Sequence, residues 1–138
     1  MTDDELTVWI CELLGSFPGW EWRTSGHYSA TNIAVFYGAL QTAPDRAVAV
    51  RIYTVGDDHR FPRERRAQLQ YRGARNTPHD ADRLASIVFA AVDGLSTVRG
   101  VSDIRRMSMA RLGADKNGRE ERTDNYLITL ENDQEVIS

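Results

Sequence analysis

The residues that most often carry catalysis or bind metals are scarce in this sequence and lie far apart. Its three histidines, His27, His59 and His79, have no neighbour at the spacing of a metal site. The single cysteine, Cys11, excludes an internal disulfide bond and a cluster of thiol ligands. The sequence therefore predicts neither a metal centre nor a thiol-based enzyme.

Three acidic turns are the remaining candidates for chemistry. Asp57-Asp58-His59 offers an acid and a base, but such residues are common in turns for conformational reasons. Pro44-Asp45 could begin a metal-dependent nuclease site, yet the acid-x-lysine that must follow on the next strand is missing. Asp115-Lys116-Asn117-Gly118 has its glycine at the fourth position, where a calcium loop needs it at the sixth. We therefore predict a protein that is not an enzyme and holds no cofactor or metal.

The overall composition is that of a globular protein made and kept in a cytosol-like compartment. Of the 138 residues, 41% are hydrophobic and 27% are charged, a balance that suits one domain spanning residues 1–138. The acidic start at residues 1–5 differs from a secretory signal. No apolar run approaches the roughly 20 residues that a membrane-spanning helix needs, so no membrane contact is expected.

Charge is distributed unevenly along the chain, whose net charge is −3. Residues 46–75 contain eight arginines against three acids, whereas residues 1–45 contain six acids against one base. Together with Trp20 and Trp22, which could stack on bases, the arginine-rich block leaves a small nucleic-acid-binding module as one alternative function. A solvated strand surface and two tryptophans that anchor a loop are the commoner explanations of the same residues.

Hydrophobic periodicity predicts two helices and five strands. Apolar residues recur at three- and four-residue spacing in two segments, the second capped by Thr77, and at alternate positions elsewhere. This order predicts an α+β fold, with a mixed or antiparallel sheet of about five strands, both helices packed on one face and a protruding C-terminal hairpin. The predicted elements are a helix at residues 1–14, three strands at residues 31–73, a helix at residues 77–95 and a hairpin at residues 102–131.

The C-terminal hairpin is the segment best suited to contact another subunit. Its predicted loop, Gly113–Arg119, is far more polar than its flanks, and Asn117-Gly118 can adopt the positive φ angles of a tight turn. The return strand is predicted at Asn125–Glu131. The apolar alternation of the first strand slips by one residue, which predicts a bulge near Arg105-Arg106.

Short motifs follow one another in a fixed order from the second strand onward. They are the strand Asp45–Tyr53, the strand end Arg72-Gly73, the helix start Asp80–Ala85, the hairpin tip Leu112–Arg119 and the strand Tyr126–Ile128. Their order resembles the tail terminator and minor capsid protein family of long-tailed bacteriophages. The resemblance implies a structural virion protein: a ring, usually a hexamer, that caps the tail tube and joins it to the head-side connector. It also implies a place in the virion tail or neck, assembly in the host cytoplasm, and DNA that passes through the ring without specific binding.

A closed ring requires an interface in which unlike patches of neighbouring subunits meet. The arginine-rich block and the acidic segments could form such a pair, and the bore is expected to be neutral or acidic, with Asp115, Glu120 and Glu121 as candidates. Another ring protein of the phage neck, such as a head-completion protein, would show the same lack of catalytic residues and is the nearest alternative. The predicted subunit-interface residues are Arg63, Arg65, Arg66, Arg72, Asp115, Lys116 and Arg119.

Overall fold

The computed structural model describes residues 1–53 and 63–131, and these residues form two helices and a six-stranded sheet. The predicted turn Asp57-Asp58-His59 lies outside the described residues. No helix in the described part of the chain is long and apolar enough to cross a membrane. The helices are α1 (Asp3–Gly15) and α2 (Asp80–Val92), and the strands are β1 (Trp20–Trp22), β2 (Ile33–Tyr37), β3 (Ala47–Tyr53), β4 (Glu64–Arg75), β5 (Val101–Ala114) and β6 (Arg119–Leu130).

Helix α1 begins at a capping box. The Thr2 hydroxyl accepts a hydrogen bond from the Glu5 N–H at 3.0 Å, and the Glu5 carboxylate accepts one from the Thr2 N–H at 2.9 Å. The two bonds satisfy amide groups that would otherwise lack partners at the helix start. The helix then buries Leu6, Ile10 and Leu14 against the sheet, where it contacts β1, β2 and β3.

Helix α2 begins at Asp80, later than the predicted cap at Thr77. Thr77 begins a turn in which its carbonyl oxygen accepts the Asp80 N–H at 3.1 Å. The Asp80 carboxylate fastens the helix to the sheet, because it accepts the Ala74 N–H at 2.8 Å and the Arg46 guanidinium at 2.8 and 3.0 Å. Burial raises the pKa of Asp80, but these hydrogen bonds outweigh burial and hold the pKa below its ordinary value.

The contact between α2 and β4 depends on the glycine at position 73. A Cβ atom on Gly73 would lie 2.8 Å from the backbone nitrogen of Ala81 and 2.8 Å from the Cβ of Asp80. Carbon atoms in ordinary contact lie about 3.5–4.0 Å apart, so a side chain does not fit without a shift of the helix. The glycine of the Arg72-Gly73 motif is thus explained by the close packing of α2 on β4.

The sheet is mixed, with the strand order β1-β2-β3-β4-β6-β5. Strands β1, β2 and β3 run parallel, and the pairs β3–β4, β4–β6 and β6–β5 are antiparallel. The predicted α+β fold is confirmed. Strand β1 has no counterpart among the predicted strands, because three residues are too few for an alternating pattern and its tryptophans indicated an anchored loop.

Both helices cover the same face of the sheet. The main hydrophobic core lies beneath them and includes Val48, Leu69 and Tyr126. The opposite face carries a small apolar cluster around Phe36 and is polar elsewhere, where a row of hydrogen-bonded side chains that includes Gln68 crosses four strands. The helices therefore cover one face of the sheet, and the other face is left open to the surroundings.

The C-terminal hairpin is longer and tighter than predicted. Strand β5 continues to Ala114 and β6 begins at Arg119, so the turn consists only of residues 115–118. The predicted loop ended at Arg119 and the predicted return strand began only at Asn125, but β6 begins at Arg119, lies between β4 and β5, and pairs along its length with both. Hydrogen bonds on both sides hold this polar segment as a strand despite its sequence.

Strand β5 carries three one-residue bulges against β6. Ser102, Met107 and Leu112 are each left without an opposing residue in the register. The bulge predicted near Arg105-Arg106 is confirmed, one residue further along. The bulges are spaced five residues apart on the outer strand of the sheet.

Candidate interaction surface

The seven predicted interface residues lie in two groups at opposite ends of the sheet. Arg63, Arg65 and Arg66 lie at the start of β4, where Arg66 is opposite Leu127. Arg72 lies six residues after Arg66 on β4, about 20 Å away. The hairpin turn lies at this same end of the sheet. We call these the β4-start group (Arg63, Arg65, Arg66) and the turn group (Arg72, Asp115, Lys116, Arg119).

Two arginines of the turn group clamp the loop between β2 and β3. Arg72 donates hydrogen bonds to the carbonyl oxygens of Asp45 and Pro44 at 2.8 and 2.6 Å. Arg119 donates to the carbonyl oxygen of Thr42 at 2.8 Å and to the Asp45 carboxylate at 3.1 Å. Each arginine is only 4% exposed. Both guanidinium groups therefore hold the chain's own fold together.

Asp115 organises the hairpin turn. Its carboxylate accepts the backbone N–H groups of Asn117 and Arg119 at 2.9 and 3.0 Å, and the Arg119 side chain at 2.9 Å. The hydrogen bond from the Arg119 N–H is the main cause of a pKa below the ordinary value for Asp115. Lys116 is exposed and forms no hydrogen bond or ion pair with the other described residues. No group of histidines, cysteines or acids in the described ranges could hold a metal ion.

The arginines of the β4-start group differ in whether their side chains already have partners within the chain. Arg65 forms an ion pair with Asp3 of α1 at 3.0 Å, which ties this end of β4 to the helix. Arg63 is exposed and Arg66 is partly exposed, and neither side chain forms a hydrogen bond or ion pair with another described residue. Within the described part of the chain, these two guanidinium groups therefore have no partner.

A second charged cluster, which was not predicted from the sequence, joins α2 to the hairpin. Asp124, fully buried, accepts Arg122 at 2.8 Å and Arg106 at 3.4 Å. Arg122 also donates to Asp82 of α2 at 2.8 Å, and Asp82 accepts Arg111 at 3.2 Å. The hydrogen bond from Arg122 lowers the pKa of Asp82. The alternation of Arg122 and Asp124, which places both on one face of a strand, was the signal that could have revealed the cluster.

The sequence profile of the bacteriophage tail terminator protein family matches residues 13–132. The chain belongs to this family. No curated protein matches the chain. As a member of the tail terminator family, the protein is a structural component of the phage tail and hence of the virion. The family resemblance expected from the motifs is confirmed.

The motifs that indicated a tail terminator act on the fold of this chain. Arg72 holds the loop before β3, and Gly73 admits α2. At the hairpin turn, the Gly118 carbonyl oxygen accepts the Asn76 N–H at 2.9 Å, and Arg119 is buried beside it. These residues fix the hairpin, the loop between β2 and β3, and α2 relative to one another. Contacts with other proteins must therefore use other residues of the surface.

The outer part of β5 is the most exposed apolar segment of a strand in the described part of this tail terminator. Met107 is 57% exposed and Leu112 is 54% exposed. Every residue from 107 to 114 is exposed except Met109, which is partly buried. The segment contains one formal charge, that of Arg111. An exposed apolar strand at the edge of a sheet is a typical site of protein contact.

The tryptophans considered for nucleic-acid binding are occupied within the fold. Trp20 is buried in the main core and packs edge-on against Phe17 with ring centroids 5.3 Å apart. Trp22 packs against the same core. Several arginines of the basic block also bond within the chain, including Arg46 and Arg75, which pair with aspartates. Both tryptophans and these arginines therefore serve the fold, and they do not form a free surface for nucleic acid.

Proposed function

We propose that this tail terminator assembles into a closed ring, a hexamer, on the end of the completed tail tube, where it stops tube growth and joins the head-side connector. The observation that carries the proposal is membership in the tail terminator family over residues 13–132. The exposed edge strand and the free cations of the described residues are compatible with it, because a ring subunit needs surfaces for several protein partners. Assembly takes place in the host cytoplasm.

The proposed subunit contact uses the predicted interface residues that are not already engaged. Arg65, Arg72 and Arg119 bond within the chain. Arg63, Arg66 and Lys116 carry charges without a partner among the described residues, and we assign them to the contact with acids on the neighbouring subunit. The variant that tests this assignment replaces all three residues with glutamate. A matched control reverses Arg83, an exposed cation on α2.

DNA passes through the proposed ring without specific binding. Asp115, Glu120 and Glu121 are the candidates for an acidic bore, since acids let the phosphate backbone slide where bases would hold it. All three side chains are partly exposed. Measurable binding of duplex DNA by the purified protein at physiological salt would count against this assignment.

The test of the proposed function is the length of tail tubes assembled from the purified tube protein of the same phage. Added terminator should stop growth and appear in negative-stain images as a six-fold ring at one end of each tube. The triple glutamate variant should leave tubes uncapped, while Arg83→Glu should cap them. Tubes that grow equally long with and without the wild-type protein would refute the proposal. Binding to isolated heads instead of tubes would favour a head-completion protein.

A further inference from the structure

The exposed outer part of β5 has side chains arranged for contact with another protein surface. Leu112 lies between two cations in the sequence, Arg111 on the strand and Lys116 on the turn. Arg111 contacts Asp82 and still keeps 64% of its side-chain surface exposed. Along the chain, Leu112 therefore has a positive charge before it and a positive charge after it.

The bulges of β5 decide how this edge can be used. A strand that adds to a sheet edge needs a continuous ladder of backbone hydrogen bonds. Bulges at Ser102, Met107 and Leu112 interrupt the regular backbone of β5 every five residues, and bulges of this kind protect edges against strand addition. The edge is therefore suited to a contact through side chains, with Met107 and Leu112 as its apolar part.

The chain itself contains a surface with the complementary pattern. On the outer side of α1, Asp4, Val8 and Glu12 recur every four residues, so they form one stripe about 12 Å long. Asp4 and Glu12 are exposed and Val8 is partly exposed. Residues 1–22 contain no lysine or arginine. An apolar side chain flanked by two acids is thus opposite in charge to an apolar side chain flanked by two cations.

We propose that the outer part of β5 of one subunit packs against the outer face of α1 of the next subunit, with Leu112 on Val8, Lys116 near Asp4 and Arg111 near Glu12. The occupant of the β5 edge is a second copy of this chain. The inference rests on the proposed ring and specifies its contact. The contact is heterologous, because a two-fold contact of β5 with itself would bring like cations together.

The test is chemical cross-linking between two single-cysteine positions. Leu112→Cys chains and Glu12→Cys chains are mixed in equal amounts and treated with a short bismaleimide, both free in solution and with tail tubes. The native Cys11 is fully buried and does not compete. We expect a dimer cross-linked between positions 112 and 12 in the mixture, and none when either variant is treated alone.

The matched control pairs Leu112→Cys with Ser86→Cys, an exposed position on the outer side of the other helix. It should yield at least about 30-fold less cross-linked dimer, the ratio that corresponds to one interface hot spot. Lys116→Glu should lower the yield of the 112–12 dimer. Adding Asp4→Lys on the partner chain should restore the yield, because the two reversed charges again attract.

Each outcome decides the inference. Dimers linked through Leu112→Cys alone would show a two-fold contact between β5 edges and overturn the proposed contact. Equal yields of cross-linked dimer with Glu12→Cys and with the Ser86→Cys control would also overturn it. Tubes that are capped normally while no 112–12 dimer forms would also overturn it and leave the proposed function standing. Failure of the proposed function is recognised separately, by tubes that the wild-type protein does not cap.

Discussion

The substitution Gly73→Ala should destabilise the protein far more than its size suggests. The new methyl group would lie 2.8 Å from the Ala81 nitrogen and 2.8 Å from the Asp80 Cβ. Both atoms belong to the start of α2 and cannot rotate away, so the helix must move by about 0.7 Å or more to reach ordinary contact. Forcing an extra methyl group into a well-packed site costs about 1–3 kcal/mol.

The same movement affects the bonds that hold α2 to the sheet. Asp80 accepts the Ala74 N–H at 2.8 Å and the Arg46 guanidinium at 2.8 and 3.0 Å. Partial loss of a hydrogen bond to a charged group adds about 1 kcal/mol. We expect the free energy of unfolding to fall by about 2–4 kcal/mol, and Tm by about 6–12 °C.

Urea denaturation followed by tryptophan fluorescence measures this change, because Trp9 and Trp20 are buried in the core and report its loss. The matched control is Gly113→Ala. Gly113 has a φ of +84°, but no atom lies within 4 Å of the position that a methyl group would take, so only the left-handed backbone opposes alanine, at about 1–2 kcal/mol. If Gly73→Ala were no more destabilising than Gly113→Ala, the packing explanation of the Arg72-Gly73 motif would be wrong.

Three further predictions concern buried charges and the thiol. Asp124→Asn removes the buried negative charge opposite Arg122, which then keeps only Asp82 as an acidic partner, and should cost about 3–5 kcal/mol in urea denaturation; a loss below about 1 kcal/mol would contradict the pairing. Because the pKa of Asp80 is lower folded than unfolded, its stabilisation is present above about pH 4 and is lost as the pH falls through the folded value. Asp80→Asn should therefore flatten the acid limb of a stability–pH curve, and an unchanged limb would refute this. Burial raises the pKa of Cys11 to about 12, so the native protein should not react with a thiol reagent at pH 8 until it unfolds.

The helices and the apolar strands could be predicted from the sequence because their periodicity records which face is buried. Helix α1 shows this well, since Leu6, Ile10 and Leu14 repeat every four residues and all three are buried. The bulge near Met107 was also recoverable, because a one-residue slip in alternation needs an extra residue. In both cases the information is local.

What the sequence could not reveal depends on pairing between distant segments. Residues 119–124 look like a loop in isolation, and they form a strand because β4 and β5 bond to them on either side. Arg72 and Arg119 look like surface cations, and they are buried because carbonyl groups of the loop before β3 receive them. Composition gives the charge of such residues, whereas only the assembled sheet determines whether the charge faces inward or outward.

The position of β6 inside the sheet has a consequence for synthesis of the protein. Strand β6 is the last of the described strands in sequence, yet it lies between β4 and β5 in the sheet. Strands β4 and β5 therefore cannot be joined in the sheet until residue 130 has been translated. The clamp on Thr42 is formed by Arg119, 77 residues later. Contacts at such separation form late and slowly. A nascent or truncated chain that ends before β6 therefore lacks a completed core.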